Sequence, residues 1–141
     1  MKLFEFSVGM SKTIQKTVTE QDTAHYYGSG ALEDLLATPI LTAYMIESSV
    51  ALIDSLLPEG YISIGRKLSI EHLMPTVKGM TVTVESKISK IEGNKISIDI
   101  SAFDELGEIG RGHHERNIVK HDILMDKIHN RCGLINSTVN L

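Results

Sequence analysis

Apolar and polar residues change their spacing along this chain, and the changes mark its elements. Residues 11–20 (SKTIQKTVTE) are rich in Thr and Val and read as a first strand. Tyr26-Tyr27-Gly28-Ser29-Gly30 reads as a loop. A helix then starts at Thr38-Pro39. Threonine can cap the free amides of a first turn, and proline is pre-set for the first helical position. From Pro39 to Leu57 the apolar residues Ile40, Leu41, Ala43, Tyr44, Met45, Ile46, Val50, Ala51, Leu52, Ile53, Leu56 and Leu57 cover nearly every face, as in a buried helix. Pro58-Glu59-Gly60 ends it. After Gly60 the period becomes two: in 61–64, in 67–70, at Met80, Val82 and Val84, and at Ile96, Ile98 and Ile100. Such alternation marks strands buried on one side. Turn signals at 75–79, 92–94 and 104–107 separate these runs, and a last strand is expected from about Glu108 to Lys120. Residues 121–132 could close the chain as a helix, and the tail, 136–141, is expected to fray.

The order is strand, long buried helix, then four strands joined by short turns, which implies an antiparallel meander. A helix buried on most faces needs a sheet that curls around it. The expected class is therefore α+β, with a curved antiparallel sheet wrapped around one long central helix, the layout of the hotdog fold. No repeat or linker interrupts it, so residues 1–141 read as a single domain with its core at about 10–130.

Composition narrows the function classes. With 141 residues, 42 % apolar and 23 % charged, the chain suits one globular domain and not a disordered one. Fourteen Lys+Arg against 18 Asp+Glu give a net charge of −4, there is no Trp, and no basic cluster interleaves with aromatics. Nucleic acid is therefore not an expected partner. No apolar run is expected to reach the roughly 20 residues of a membrane span. The early Glu5 argues against a secretion signal. Cys132 is the single cysteine, so no intramolecular disulfide can form and a reducing cytoplasm is the expected compartment.

Three side chains suggest chemistry. Glu47 sits mid-helix among apolar neighbours; it either faces solvent or a partner on a polar stripe with Asp54, or orients water or a histidine. Thr38 reads as an N-cap, yet a hydroxyl at a helix N-terminus also lies where a developing oxyanion is stabilised. His72 ends a strand, where it is either a surface group or a base. His113 and His114 are adjacent on a strand and point to opposite faces, and the six histidines show no ligand spacing, so no metal is expected. Gly110-Arg111-Gly112 lacks the context of a phosphate loop and suggests a bulge or a close approach.

Gly28-Ser29-Gly30, Leu36-Ala37-Thr38-Pro39, Ile64-Gly65, Glu71-His72 with Gly79 seven residues on, and Gly110-x-Gly112-x-His114-Glu115-Arg116 together resemble the fluoroacetyl-CoA thioesterase family of hotdog proteins, over about residues 10–130. The resemblance implies hydrolysis of acyl-CoA thioesters without metal or cofactor, by homodimers with sites at the subunit interface. It matches the catalytic threonine to Thr38, the catalytic histidine to His72, a glycine whose amide holds the thioester oxygen to Gly65, and an arginine near the acyl or CoA end to Arg116. The family's glutamate falls on Ile46, and Glu47 is one residue later, about 100° around a helix. Aromatic residues that form the family's lid have no counterpart in 29–36, so an ordinary short acyl group is expected in place of fluoroacetyl.

On this reading His72 is the general base, Thr38 the nucleophile or the group that positions water, and amides near Gly65 and Pro39 the oxyanion site. Glu47 would orient His72 or water, and Arg66 or Lys67 would meet the CoA phosphates. Two other readings stand beside it: a non-catalytic acyl-CoA-binding protein, favoured by the offset of Glu47, and an enoyl-CoA hydratase or dehydratase, which would need a paired His and acid facing the β-carbon.

Overall fold

The computed structural model describes residues 4–139, with side chains through Leu134. Five strands, β1 (Ser11–Thr17), β2 (Tyr61–His72), β3 (Thr81–Glu92), β4 (Lys95–Asp104) and β5 (Gly107–Lys120), form one antiparallel sheet in the order β1-β3-β4-β5-β2. The central helix α1 (Thr38–Ile53) packs on one face, and α2 (His121–Val139) follows β5. This is the α+β arrangement that the periodicity implies.

The meander expectation needs a correction. β3, β4 and β5 do follow one another through tight turns, such as Gly93-Asn94 with Gly93 at φ +61°. β2, however, pairs with β5 and lies at the sheet edge, while β1 covers β3. The link 73–80 is pinned away from a hairpin path. Leu73 N–H bonds the Ile109 carbonyl, then Lys78 N–H bonds Asp34 and Gly79 N–H bonds Val18, which carries the chain to the far side of the sheet.

The helix also differs from its expectation. Its buried residues, Leu41, Tyr44, Met45, Ser48, Ser49, Leu52 and Ile53, form one stripe with helical period. The opposite face, with Ala43, Ile46 and Glu47, is open, because the five strands cover a single side. By length and composition, Thr38–Leu56 would pass for a membrane span of 19 residues, contrary to the sequence expectation; here that stretch is the core helix and the turn after it. A 3-10 turn at Asp54–Leu56 replaces the expected last helical turn. α2 is longer than expected, since the backbone stays helical to Val139, whereas residues 140–141 of the tail lie outside the described residues.

Two contacts set where α1 starts. Asp22 accepts from Ala37 N–H through its carbonyl and from the Tyr44 hydroxyl through its carboxylate at 3.1 Å. The second contact is the absence of a side chain at Gly110, which lies opposite His72 in the β2–β5 register. A Cβ there would come within 3.0 Å of both the Leu41 Cδ2 and the Glu71 carbonyl, and one at Gly112 within 2.9 Å of the Met45 sulfur. The glycines thus mark the close approach that the sequence suggested.

Gly110→Ala should destabilise the fold by about 1–3 kcal/mol through overpacking. Gly133→Ala, in α2 with nothing within 4 Å, should stabilise it by up to about 1 kcal/mol. Denaturant midpoints that move the same way for both variants would contradict this packing account.

Candidate active site

Thr38 is not an N-cap. Ala37 takes that position and no side chain caps the helix, so the Thr38 hydroxyl is free for another partner. It meets the imidazole of His72, with Oγ1 and Nδ1 2.7 Å apart. The helix start supplies Thr38, and the end of β2, held against β5 opposite Gly110, supplies His72. The two residues line a cavity of about 330 Å³ together with Tyr27, Leu32, Leu36, Pro39 and Met74. The loop before α1 therefore does bring one aromatic ring, Tyr27, to the cavity wall, just upstream of the stretch the sequence reading compared.

Burial lowers the pKa of His72 below its ordinary 6.5, and a backbone interaction with Met74 partly opposes the shift. The ring is consequently neutral at neutral pH and able to accept a proton. Its Nε2 is buried without a hydrogen-bond partner. The positive end of α1 faces the same cavity.

Gly65 and Arg116 form a second group at the other end of β2. Seven residues separate Gly65 from His72 along the strand, about 23 Å at strand rise. Within one chain the structure therefore does not join them to Thr38 and His72. Gly65 pairs with Arg116 across the sheet, beside a bulge at Arg66. The Arg116 side chain is 6 % exposed. Its Nε donates to the Ser63 hydroxyl and its Nη2 to the Ser63 carbonyl, both at 2.8 Å, while Ser63 donates to Asp54. Asp54 is thus part of this buried network and does not share an exposed stripe with Glu47.

Glu47 joins neither group. It lies on the open face of α1, bound to Lys16 at 3.1 Å. Sequence reasoning missed His114, which is 2 % exposed and has its Nδ1 3.0 Å from the Ser49 hydroxyl. The signal was present in the strand alternation, which turns His114 to the face opposite His113, but a lone histidine gave no hint of a helix serine as partner. Among the described residues no group of three His, Cys, Asp or Glu converges as a metal site would require.

Burial, then the nearby Arg116 charge, pushes the His114 pKa down from 6.5 to about 4. The unfolded chain takes up this proton near pH 6.5 and the folded chain only near 4. The stabilisation is therefore complete above pH 6.5 and is lost as pH falls toward 4. Denaturation midpoints should fall over that interval, and less steeply in His114→Gln; equal slopes in both proteins would refute the buried neutral imidazole.

The fold and the Thr38–His72 pair can now be set against known proteins. A family model described as fluoroacetyl-CoA-specific thioesterase matches residues 18–122. The fluoroacetyl-CoA thioesterase of Streptantibioticus cattleyicolor is 33 % identical over 86 residues, which are 61 % of this chain and 62 % of that protein. The chain thus spans about three-fifths of the length of this curated relative. A hot-dog-like protein from Thermanaerovibrio acidaminovorans superposes with a TM-score of 0.83 at 31 % identity, over 89 % of this chain and 93 % of that one. The fluoroacetyl-CoA thioesterase FlK gives a TM-score of 0.80 at 28 % identity, over 89 % and 96 %. The sheet wrapped on α1 is a hotdog fold, and the chain belongs to the fluoroacetyl-CoA-specific thioesterase family.

Proposed function

We propose that this chain hydrolyses a short-chain acyl-CoA thioester to the free acid and CoA. The observation that carries the reading is the 2.7 Å contact between Thr38 Oγ1 and His72 Nδ1 in the wall of a cavity of mixed polar and apolar lining. A hydroxyl is a weak nucleophile until a base removes its proton, and a neutral imidazole at hydrogen-bond distance is such a base. Thr38 Oγ1 bonds to the thioester carbon as its proton passes to His72. The carbon–sulfur bond then breaks, and the leaving thiolate takes that proton. Water attacks the resulting ester, gives a proton to His72, and releases the acid as Thr38 regains its hydrogen. The helix N-terminus and the amide of Gly65 would hold the negative oxygen in both tetrahedral states. These steps balance without a cofactor.

A homodimer would complete this site. β2 is an edge strand, and the open face of α1 beside it carries Ala43 and Ile46. An edge strand is a template for pairing with a second copy. Two β2 strands paired antiparallel about the midpoint of Gly65 and His72, near Leu68 and Ser69, would lay each Gly65 and Arg116 beside the partner's Thr38 and His72. Glu47, ion-paired with Lys16 on β1 at the sheet edge opposite β2, has no role in this pairing. The exposed Cys132 thiol fits the reducing cytoplasm we assign to the protein.

Purified protein should release free thiol from short acyl-CoAs. His72→Ala should lower kcat by about 10²–10⁴-fold, the usual contribution of a general base. Thr38→Ala should lose activity with little change in melting temperature, since its hydroxyl caps nothing. Acyl-CoA binding without thiol release would favour the non-catalytic reading, and water addition to an enoyl-CoA the hydratase reading. The dimer has its own test: mixing inactive His72→Ala with inactive Arg116→Ala under subunit exchange should restore turnover, and no recovery would leave each site within one chain.

A further inference from the structure

The outer face of the sheet, turned away from α1, carries a row of three residues that the site above does not use. The register sets Asp99 on β4 opposite His113 on β5, and His113 opposite Ser69 on β2. Opposed residues on neighbouring strands project to one face, with Cβ atoms about 4.5–5.5 Å apart. A carboxylate, an imidazole and a hydroxyl therefore follow one another across three strands. Strand alternation puts this row on the side opposite to His72 and His114.

The acid and the imidazole are already joined, with His113 Nδ1 2.8 Å from Asp99 Oδ1. An ionised carboxylate only accepts hydrogen bonds, so the ring donates through Nδ1, and in the neutral ring the lone pair sits on Nε2. The two ring nitrogens lie on opposite sides of the Cβ–Cγ axis. With Nδ1 turned to β4, Nε2 is turned toward β2, where Ser69 stands. The Ser69 hydroxyl bonds no other side chain among the described residues. Ser69 and His113 line a second cavity, of about 240 Å³, with Ile70, Glu71, Arg111 and Gly112. It shares no residue with the cavity of Thr38 and His72. Arg111 gives its Nε to Glu108, and its other nitrogens have no carboxylate within ion-pair distance among the described residues.

This is the arrangement of a nucleophile, a base and a group that orients the base. We propose that Ser69, His113 and Asp99 form a second hydrolytic centre, which acts on small carboxylic esters in the outer-face cavity. Ser69 Oγ bonds to the ester carbon as its proton passes to His113 Nε2. The carbon–oxygen bond to the alcohol breaks, and the departing alkoxide takes that proton. Water then attacks the acyl-serine, gives a proton to His113, and releases the acid as Ser69 regains its hydrogen. The Arg111 guanidinium stabilises the negative oxygen. Ser69 and His113 meet the ester, and Asp99 is a positioning residue that holds the ring. Pairing of β2 with a second copy would use the backbone of its edge and leave the outer-face side chains open, so this centre does not depend on a dimer.

The test uses an alkyl fluorophosphonate, which reacts with base-activated hydroxyls, and maps the label by mass spectrometry. Wild-type protein should carry one phosphonyl group per chain, on Ser69. His113→Gln should slow this labelling by about 10²-fold or more, the contribution of a general base. Asp99→Asn should slow it with the melting temperature unchanged, and Asp99→Glu should recover part of the rate. Hydrolysis of p-nitrophenyl acetate should persist in Thr38→Ala and fall to the buffer rate in Ser69→Ala. Acyl-CoA turnover should be the same in Ser69→Ala as in wild-type protein. An unlabelled Ser69 in the wild-type protein would overturn the proposal, and that result needs no variant to fold. Labelling of Ser69 unchanged by His113→Gln, or ester hydrolysis unchanged by Ser69→Ala, would overturn it as well. Failure of acyl-CoA hydrolysis would count against the Thr38–His72 reading alone, because the two centres share no residue.

Discussion

The close approach of α1 to β5 at Gly110 is the constraint on which the candidate site depends. Any side chain there would crowd Leu41, one turn into the helix, and Gly110 stands directly across the sheet from His72. The helix start is held from the other side by Asp22. Thr38 and the imidazole are thus brought to hydrogen-bond distance by packing between elements far apart in sequence, and not by a local loop. Rigid elements hold such a geometry more closely than mobile segments do.

The inner face of the sheet is less apolar than its strand pattern suggests, and several polar groups on it have defined partners. Ser86 donates to the Ser48 carbonyl at 2.9 Å and receives the Ser48 hydroxyl at 2.7 Å. Ser49 joins His114, and Ser63 joins Arg116 to Asp54. A buried polar group without a partner costs on the order of 1–3 kcal/mol, so these pairings also fix how the helix sits along the strands. The Ser48–Ser86 pair ties the helix to the strand stack, whereas the other two groups lie beside Gly65.

The sequence pattern was sufficient for the elements and for their class. Alternation at 80–84 and 96–100 became β3 and β4, and the dense apolar run from Ile40 became α1. Strand order was not legible, because periodicity records which face is buried and not which neighbour bonds the edge. The course of 73–80 is decided by backbone bonds to Asp34 and Val18, whose positions no local signal gives. The Thr38–His72 pair was legible through a resemblance of ordered motifs, while spacing alone favoured a cap that the structure does not contain. His114 and Ser49, 65 positions apart, were illegible for a plainer reason: one histidine and one serine carry no mark of each other until the sheet closes on the helix.

α2 carries the protein's sole thiol. Cys132 is exposed on that helix, beyond the end of β5, and does not line the cavity of Thr38 and His72. A maleimide dye will therefore attach at one defined place per polypeptide with no mutation needed. Energy transfer between donor- and acceptor-labelled copies can then follow subunit association in solution while both ends of β2 keep their native side chains.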